Sequence, residues 1–240
     1  MKKSYLLLSI IALLSIGTLS SCRRFRCVHG SGKVISKSQK MPDFSKIDIS
    51  GGFKVKLVQD SSLNVTIKMD DNLFKYINTD VEGDKLVIKS RRNLCASGEI
   101  MIVIGVKNLE EVDASGAIDV SSSGRIVTKD LHFDLSGSTS IDMDIAAANV
   151  HTEGSGSTDM ILKGQAASHN VDMSGSSKID AFDFVVGKYN IETSGASEAK
   201  INVLNSLSVH SSGASDIEYR GTPGNVNIDK SGASSVKKVN

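Results

Sequence analysis

Val112-Asp113-Ala114-Ser115-Gly116 and Phe133-Asp134-Leu135-Ser136-Gly137 share one pattern: an apolar residue, an acid, any residue, then Ser-Gly. Read at that phase, five more copies centre on Gly154, Gly175, Gly195, Gly213 and Gly232, at intervals of 17 to 21 residues. Four places before the glycines stand Val112, Phe133, Val150, Val171, Ile191, Val209 and Ile228, all apolar. Three places before stand Asp113, Asp134, His151, Asp172, Glu192, His210 and Asp229, all acid or imidazole. Alternation with period two describes a strand with one buried and one wet face. The glycine that follows suits a tight turn, and small residues come after it. Another apolar pair follows four and six places later, as in Ile141 and Met143.

A unit of roughly 20 residues cannot bury its own apolar face, so it must stack on the next. No unit carries a convincing amphipathic helix, which argues against helical crossovers between strands. The expected fold is therefore all-β: a parallel β-helix, a solenoid in which like residues from successive coils form columns. An antiparallel sandwich or barrel is the alternative, since its strands recur at about 8–12 residues. Columns of one residue type at one phase favour the solenoid.

Residues 1–21 read as a leader: Lys2 and Lys3, then a mainly apolar run from Tyr5 to Ile16. That run is too short to span a bilayer and suits a signal-peptide core. It ends Leu19-Ser20-Ser21-Cys22, which resembles the bacterial lipobox and implies acylation of Cys22 as the first mature residue. No Asp follows Cys22, which leans toward the outer membrane, in either leaflet. Residues 22–43 would be a lipidated tether and loop. Residues 44–240 would be one domain, with 44–111 as irregular N-terminal coils and capping strands and 112–240 as regular repeats. Without the leader the net charge is −1, so no basic footprint for nucleic acid remains. Cys27 and Cys95 either pair, which export allows, or stay as two free thiols.

In the N-terminal part, Ile47 to Leu57 and Leu63 to Ile67 read as one hairpin, and Val81 to Leu86 as a second. Residues 70–77 suit one helical turn. The run Ile100 to Val106 reads as a strand buried on both sides. The segment Phe44-x-x-Ile47-x-Ile49-Ser50-Gly51-Gly52-Phe53-x-Val55-x-Leu57, the element Asp71-Asn72-Leu73-x-x-Tyr76-Ile77, the strand Leu86-Val87-Ile88 and the Ser-Gly-Ala-Ser turns resemble one family. It is the putative auto-transporter adhesin, head GIN domain family, and the resemblance covers about residues 30–236. It implies a right-handed parallel β-helix on exported proteins, often lipoproteins, and it brings no catalytic residues.

The polar face carries the candidate site. Asn149, Asn170, Asn190 and Asn227 stand five places before their glycines and could form a hydrogen-bonded column. Beside them runs the acid row, with His151 expected between Asp134 and Asp172, and His210 between Glu192 and Asp229. Such a row could bind a divalent metal or a glycan. The plainer reading is a wet solenoid face whose histidines relieve carboxylate repulsion. No metal, cofactor or catalytic residue is expected, and no nucleophile or phosphate-loop motif is present. The sequence therefore points to a non-catalytic, lipid-anchored envelope protein, an adhesin-like or assembly module. Its expected partners are the membrane, through the anchor, and a glycan or envelope protein. A polysaccharide-binding or polysaccharide-cleaving β-helix is the alternative. It is weakened by the absence of Trp and an aromatic content of 5%.

Overall fold

The computed structural model describes residues 27–240. The leader and Cys22 lie outside the described residues. Twelve strands follow one another: β1 Val28–His29, β2 Val34–Lys40, β3 Lys46–Gln59, β4 Asn64–Asp70, β5 Ile77–Glu82, β6 Lys85–Ser90, β7 Leu94–Cys95, β8 Met101–Val106, β9 Glu111–Val127, β10 Asp130–Arg220, β11 Asn225–Gly232 and β12 Ser235–Lys238. One 3-10 turn, Phe74–Tyr76, falls where a helical turn was expected. No α-helix occurs among the described residues. The strands form one large open mixed sheet and a two-stranded ribbon of β1 with β7.

β10 is 91 residues of unbroken extended chain. Laid straight it would span roughly 300 Å, at about 3.3 Å per residue. It does not run straight, because Gly137, Gly156, Gly164, Gly175, Gly195 and Gly213 all take positive φ. Its glycines lie on one another: a Cβ on Gly156 would strike the carbonyl oxygen of Gly137, and one on Gly175 that of Gly156. The column runs through Gly51, Gly116, Gly137, Gly156, Gly175, Gly195, Gly213 and Gly232. Flanking strands keep the same parallel register, with Gly116 opposite Gly51, Gly137 opposite Gly116 and Gly232 opposite Gly213. Successive repeats therefore lie parallel and in phase.

The third copy in this column is Gly156, not Gly154. With that correction Thr152 stands four places before the glycine, Glu153 three and Ser155 one. Every glycine of the column is then preceded by serine. Val150 moves to the row two places earlier, with Leu131, His169, Tyr189 and Leu207, and all five are buried. Val171, Ile191 and Val209 remain stacked as expected, with the buried Thr152 in the place given to Val150.

The interior is apolar at Ile47, Val112, Phe133, Ile141 and Ile201, but hydroxyl-lined near the glycine corners. Thr139 faces Thr158 at 3.5 Å, Ser177 donates to Ser197 at 2.9 Å and Thr193 to Ser211 at 3.1 Å. Each of these buried hydroxyls finds its partner on the next repeat, which removes the cost of burying it alone, whereas the buried Tyr189 hydroxyl has no partner among the described residues.

The in-phase parallel pairing extends back to β3. β3 pairs with β9 from Lys46 to Leu57, and residues 60–110 are an insertion between these two paired strands. The insertion supplies the cap. β3 and β4 do not form the expected hairpin, because both edges of β3 are taken, by β9 on one side and by β6 and β8 on the other. β4 instead pairs antiparallel with β2 and β8. β5 and β6 do form a hairpin, at Gly83 with φ +67°. β8 is one-sided rather than buried on both faces, with Met101 exposed.

Candidate binding wall

Outward residues line up as the inward ones do. Three places before each glycine the row reads Asp48, Asp113, Asp134, Glu153, Asp172, Glu192, His210, Asp229. Asp48 is directly opposite Asp113, Asp113 opposite Asp134, and His210 opposite Asp229. Like charges opposite each other on neighbouring strands repel. The cap relieves the first of them: Lys89 Nζ lies 2.7 Å from Asp48 and Lys85 Nζ 2.6 Å from Glu111. Burial, with Asp48 and Asp134 on either side, pushes the Asp113 carboxyl above its usual range.

His151 is not in this row. It stands five places before Gly156, and its ring stacks on His132 at 4.9 Å between centroids and 19° between planes. Glu153 takes the position between Asp134 and Asp172, so the acids run unbroken from Asp48 to Glu192. His151 Nε2 lies 2.8 Å from Glu153 and holds that carboxyl below its usual range. Only His210 interrupts the row, between Glu192 and Asp229. The physical reason is the two-residue phase slip, which moves a residue to a neighbouring outward row.

The Asn column is broken by the same slip. Asn149 stands seven places before its glycine, donating to Asp130 at 2.7 Å and accepting from Ser168 at 2.7 Å. Asn170 and Asn190 keep the same phase in adjacent windings, and Asn227 faces Ser208.

Asp172, Glu192, His210 and Asp229 come together around a shallow depression of about 310 Å³, with Ser194, Ser212 and Ser231. A longer groove of about 680 Å³ follows the glycine corners. Its floor is Ser176, Ala196, Ala214 and Ala233, and its rim carries Asp159, Lys178, Glu198 and Asp216. The sequence reading took these small residues only as turns. Their recurrence was legible; what it did not disclose is that a column of small side chains leaves a trough where larger ones would fill it.

Cys27 and Cys95 form a disulfide, Cα atoms 5.6 Å apart, across 68 residues. It fastens β1 to β7. Asp70 is the second fastening: it accepts from Ser97 N–H at 2.9 Å, the Ser97 hydroxyl at 2.7 Å and Gly32 N–H at 2.7 Å. Inside the stack, His169 is buried with Nε2 2.9 Å from the Thr152 hydroxyl and no partner on Nδ1. Burial pushes its pKa down to about 3.

An open polar wall on parallel, in-register strands marks this as an all-β protein built on one large mixed sheet. The chain belongs to the family described as putative auto-transporter adhesin, head GIN domain, which it matches over residues 43–223. The match to a crystal structure of a putative adhesin from Bacteroides fragilis has a TM-score of 0.82 at 20% identity, covering 88% of this chain and 100% of that one. A putative adhesin from Parabacteroides merdae matches with a TM-score of 0.67 at 21% identity, over 89% of this chain and 99% of that one. A structure described as a putative lipid binding protein, from Parabacteroides distasonis, matches with a TM-score of 0.68 at 18% identity, over 90% and 100%. Among curated proteins none matches. The family is adhesin-like, which fits a cell-surface or envelope protein. Among the described residues no helix is long and apolar enough to cross a membrane.

Proposed function

We propose that this chain is a lipid-anchored module of the cell envelope that binds without catalysis. Its body is a right-handed parallel β-helix, and its outward wall is the adhesive surface. Cys22 is the acylated residue, and the outer membrane is the compartment. The solenoid reading is supported by the glycine column, with windings of about 19 residues lying parallel and in phase. The observation that carries the binding reading is the acid row. Its carboxylates lie side by side on one flat wall instead of facing each other across a cleft, as a glycosidase pair would. The corner groove offers no Arg or Tyr among its lining residues, which does not favour polysaccharide cleavage. The wall suits polar, extended ligands such as a glycan or an envelope protein.

The test is a glycan-array and whole-cell binding screen of the protein against its Asp134→Asn, Asp172→Asn, Glu192→Gln variant. Binding should fall by about tenfold or more, since paired polar contacts are lost at each site. Equal binding by both forms overturns the reading. Mass spectrometry of the mature N-terminus tests the anchor separately: acyl chains on Cys22 are expected, and Cys22→Ser abolishes them.

A further inference from the structure

The molecule is electrically polarised. Residues 27–110 hold thirteen Lys and Arg against ten acids, and residues 111–240 hold ten against seventeen. Arg23, Arg24 and Arg26 precede this part in the sequence. Four of the lysines in residues 27–110 lie on the outer face of the cap. Lys54 and Lys68 flank Met101 in one cross-strand row, and Lys56, Val103 and Thr66 form the next. Thr66 donates to Ser38 at 3.0 Å, which places the outward residues of β2 on the same face, Lys40 included. Lys40, Lys56 and Lys68 are exposed and have no ion-pair partner among the described residues. Lys54 is held by Glu99 at 2.5 Å. Among these cations Met101 is 39% exposed, and Val34, at the end of β2, 44%. Beyond Lys54 and Lys56 the face turns acidic at Asp119 and Asp142.

We propose that this face of the cap docks on an anionic phospholipid surface, with the lysines at headgroup phosphates and Met101 and Val34 in the interface. The proposal rests on the anchor reading above and deepens it. Four residues separate Cys22 from Cys27, so the five steps between them reach at most about 18 Å. Cys27 is bonded to Cys95, and the Asp70 clamp holds Gly32 just before β2. The tether therefore brings this end of the molecule, and not the acid wall, to the lipid. Basic side chains beside an anionic leaflet are each attracted by a surface potential that falls off within a Debye length. The same potential repels the acidic stack and stands it away from the bilayer. Exposed apolar side chains within a cationic rim complete an interfacial contact.

The test uses the lipidated full chain in vesicles of phosphatidylcholine, with or without phosphatidylglycerol, and amine-reactive labelling read by mass spectrometry. Lys40, Lys56 and Lys68 should be protected about threefold or more on the anionic vesicles only, with the effect lost at high salt. Lys163 and Lys188 in the stack should label equally on both. A Lys40→Glu, Lys56→Glu, Lys68→Glu variant should label at Lys54 alike on both vesicles. Equal labelling of the cap lysines on both vesicle types overturns the proposal, as does protection on whole cells without protection on protein-free vesicles. The same spectra report the acyl mass on Cys22, so a missing anchor is told apart from an anchored cap that does not dock.

Discussion

Gly154 and Gly156 stand two residues apart and respond differently to one added methyl. Gly156 has φ +102°, and a Cβ there strikes the backbone of the winding below. A Cβ on Gly154 meets the sulfur of Met173, the far part of a flexible side chain. Gly156→Ala should therefore cost about 2 kcal/mol or more, and Gly154→Ala clearly less, as read from urea midpoints. The reverse order would restore the phase that the apolar pattern alone implies. His169 sets a second expectation. Its folded pKa of about 3 lies below the unfolded value. Below about pH 6.5 only the unfolded chain takes up that proton, so stability falls as pH drops, by at most about 1.4 kcal/mol per unit. A Thr152→Val, His169→Leu variant should lose this part of the acid sensitivity between about pH 6.5 and 4. Parallel acid profiles for the two proteins would contradict it.

At the scale of elements, the cap depends on two fastenings, the disulfide between β1 and β7 and the Asp70 clamp. The Ser97 hydrogen bonds hold the Asp70 carboxyl below its usual range. A lowered folded pKa contributes stability above the unfolded value and loses it as pH falls through the folded one. Asp70→Asn should speed amide exchange over residues 28–33 and 95–97, leaving the Val171, Ile191 and Val209 amides unchanged. Acid should do the same to the wild type. Uniform acceleration across the stack would mean that the clamp holds the whole fold rather than the cap.

For the whole molecule, charge is the controlling quantity. Lysines from β6 reach Asp48 and Glu111, and His151 reaches Glu153, but Asp134, Asp172 and Glu192 have no cation within ion-pair distance among the described residues. Their repulsion is screened by salt, so the thermal midpoint should rise between about 20 mM and 500 mM NaCl. The Asp134→Asn, Asp172→Asn, Glu192→Gln variant should flatten that rise. A wild-type midpoint that falls with salt would show that attractions dominate.

The seven-fold pattern by itself determined that the chain is all-β, that its strands are amphipathic, and that Asp113, Asp134, Asp172, Glu192 and Asp229 share one outward row. Those properties follow from local alternation, which any strand must obey to hide one face. The serine before each glycine was also legible, and reading it first would have selected Gly156 over Gly154. Tertiary structure alone decided the rest. Whether His151 sits beside Glu153 or between two aspartates depends on which residues of distant windings meet, a matter of register across about 19 residues. The pairing of β3 with β9 across an insertion, and of β4 with β2, was settled by competition for sheet edges, which no single segment encodes. The Cys27–Cys95 bond likewise needed the cap folded, because only then do two residues 68 apart come within bonding reach.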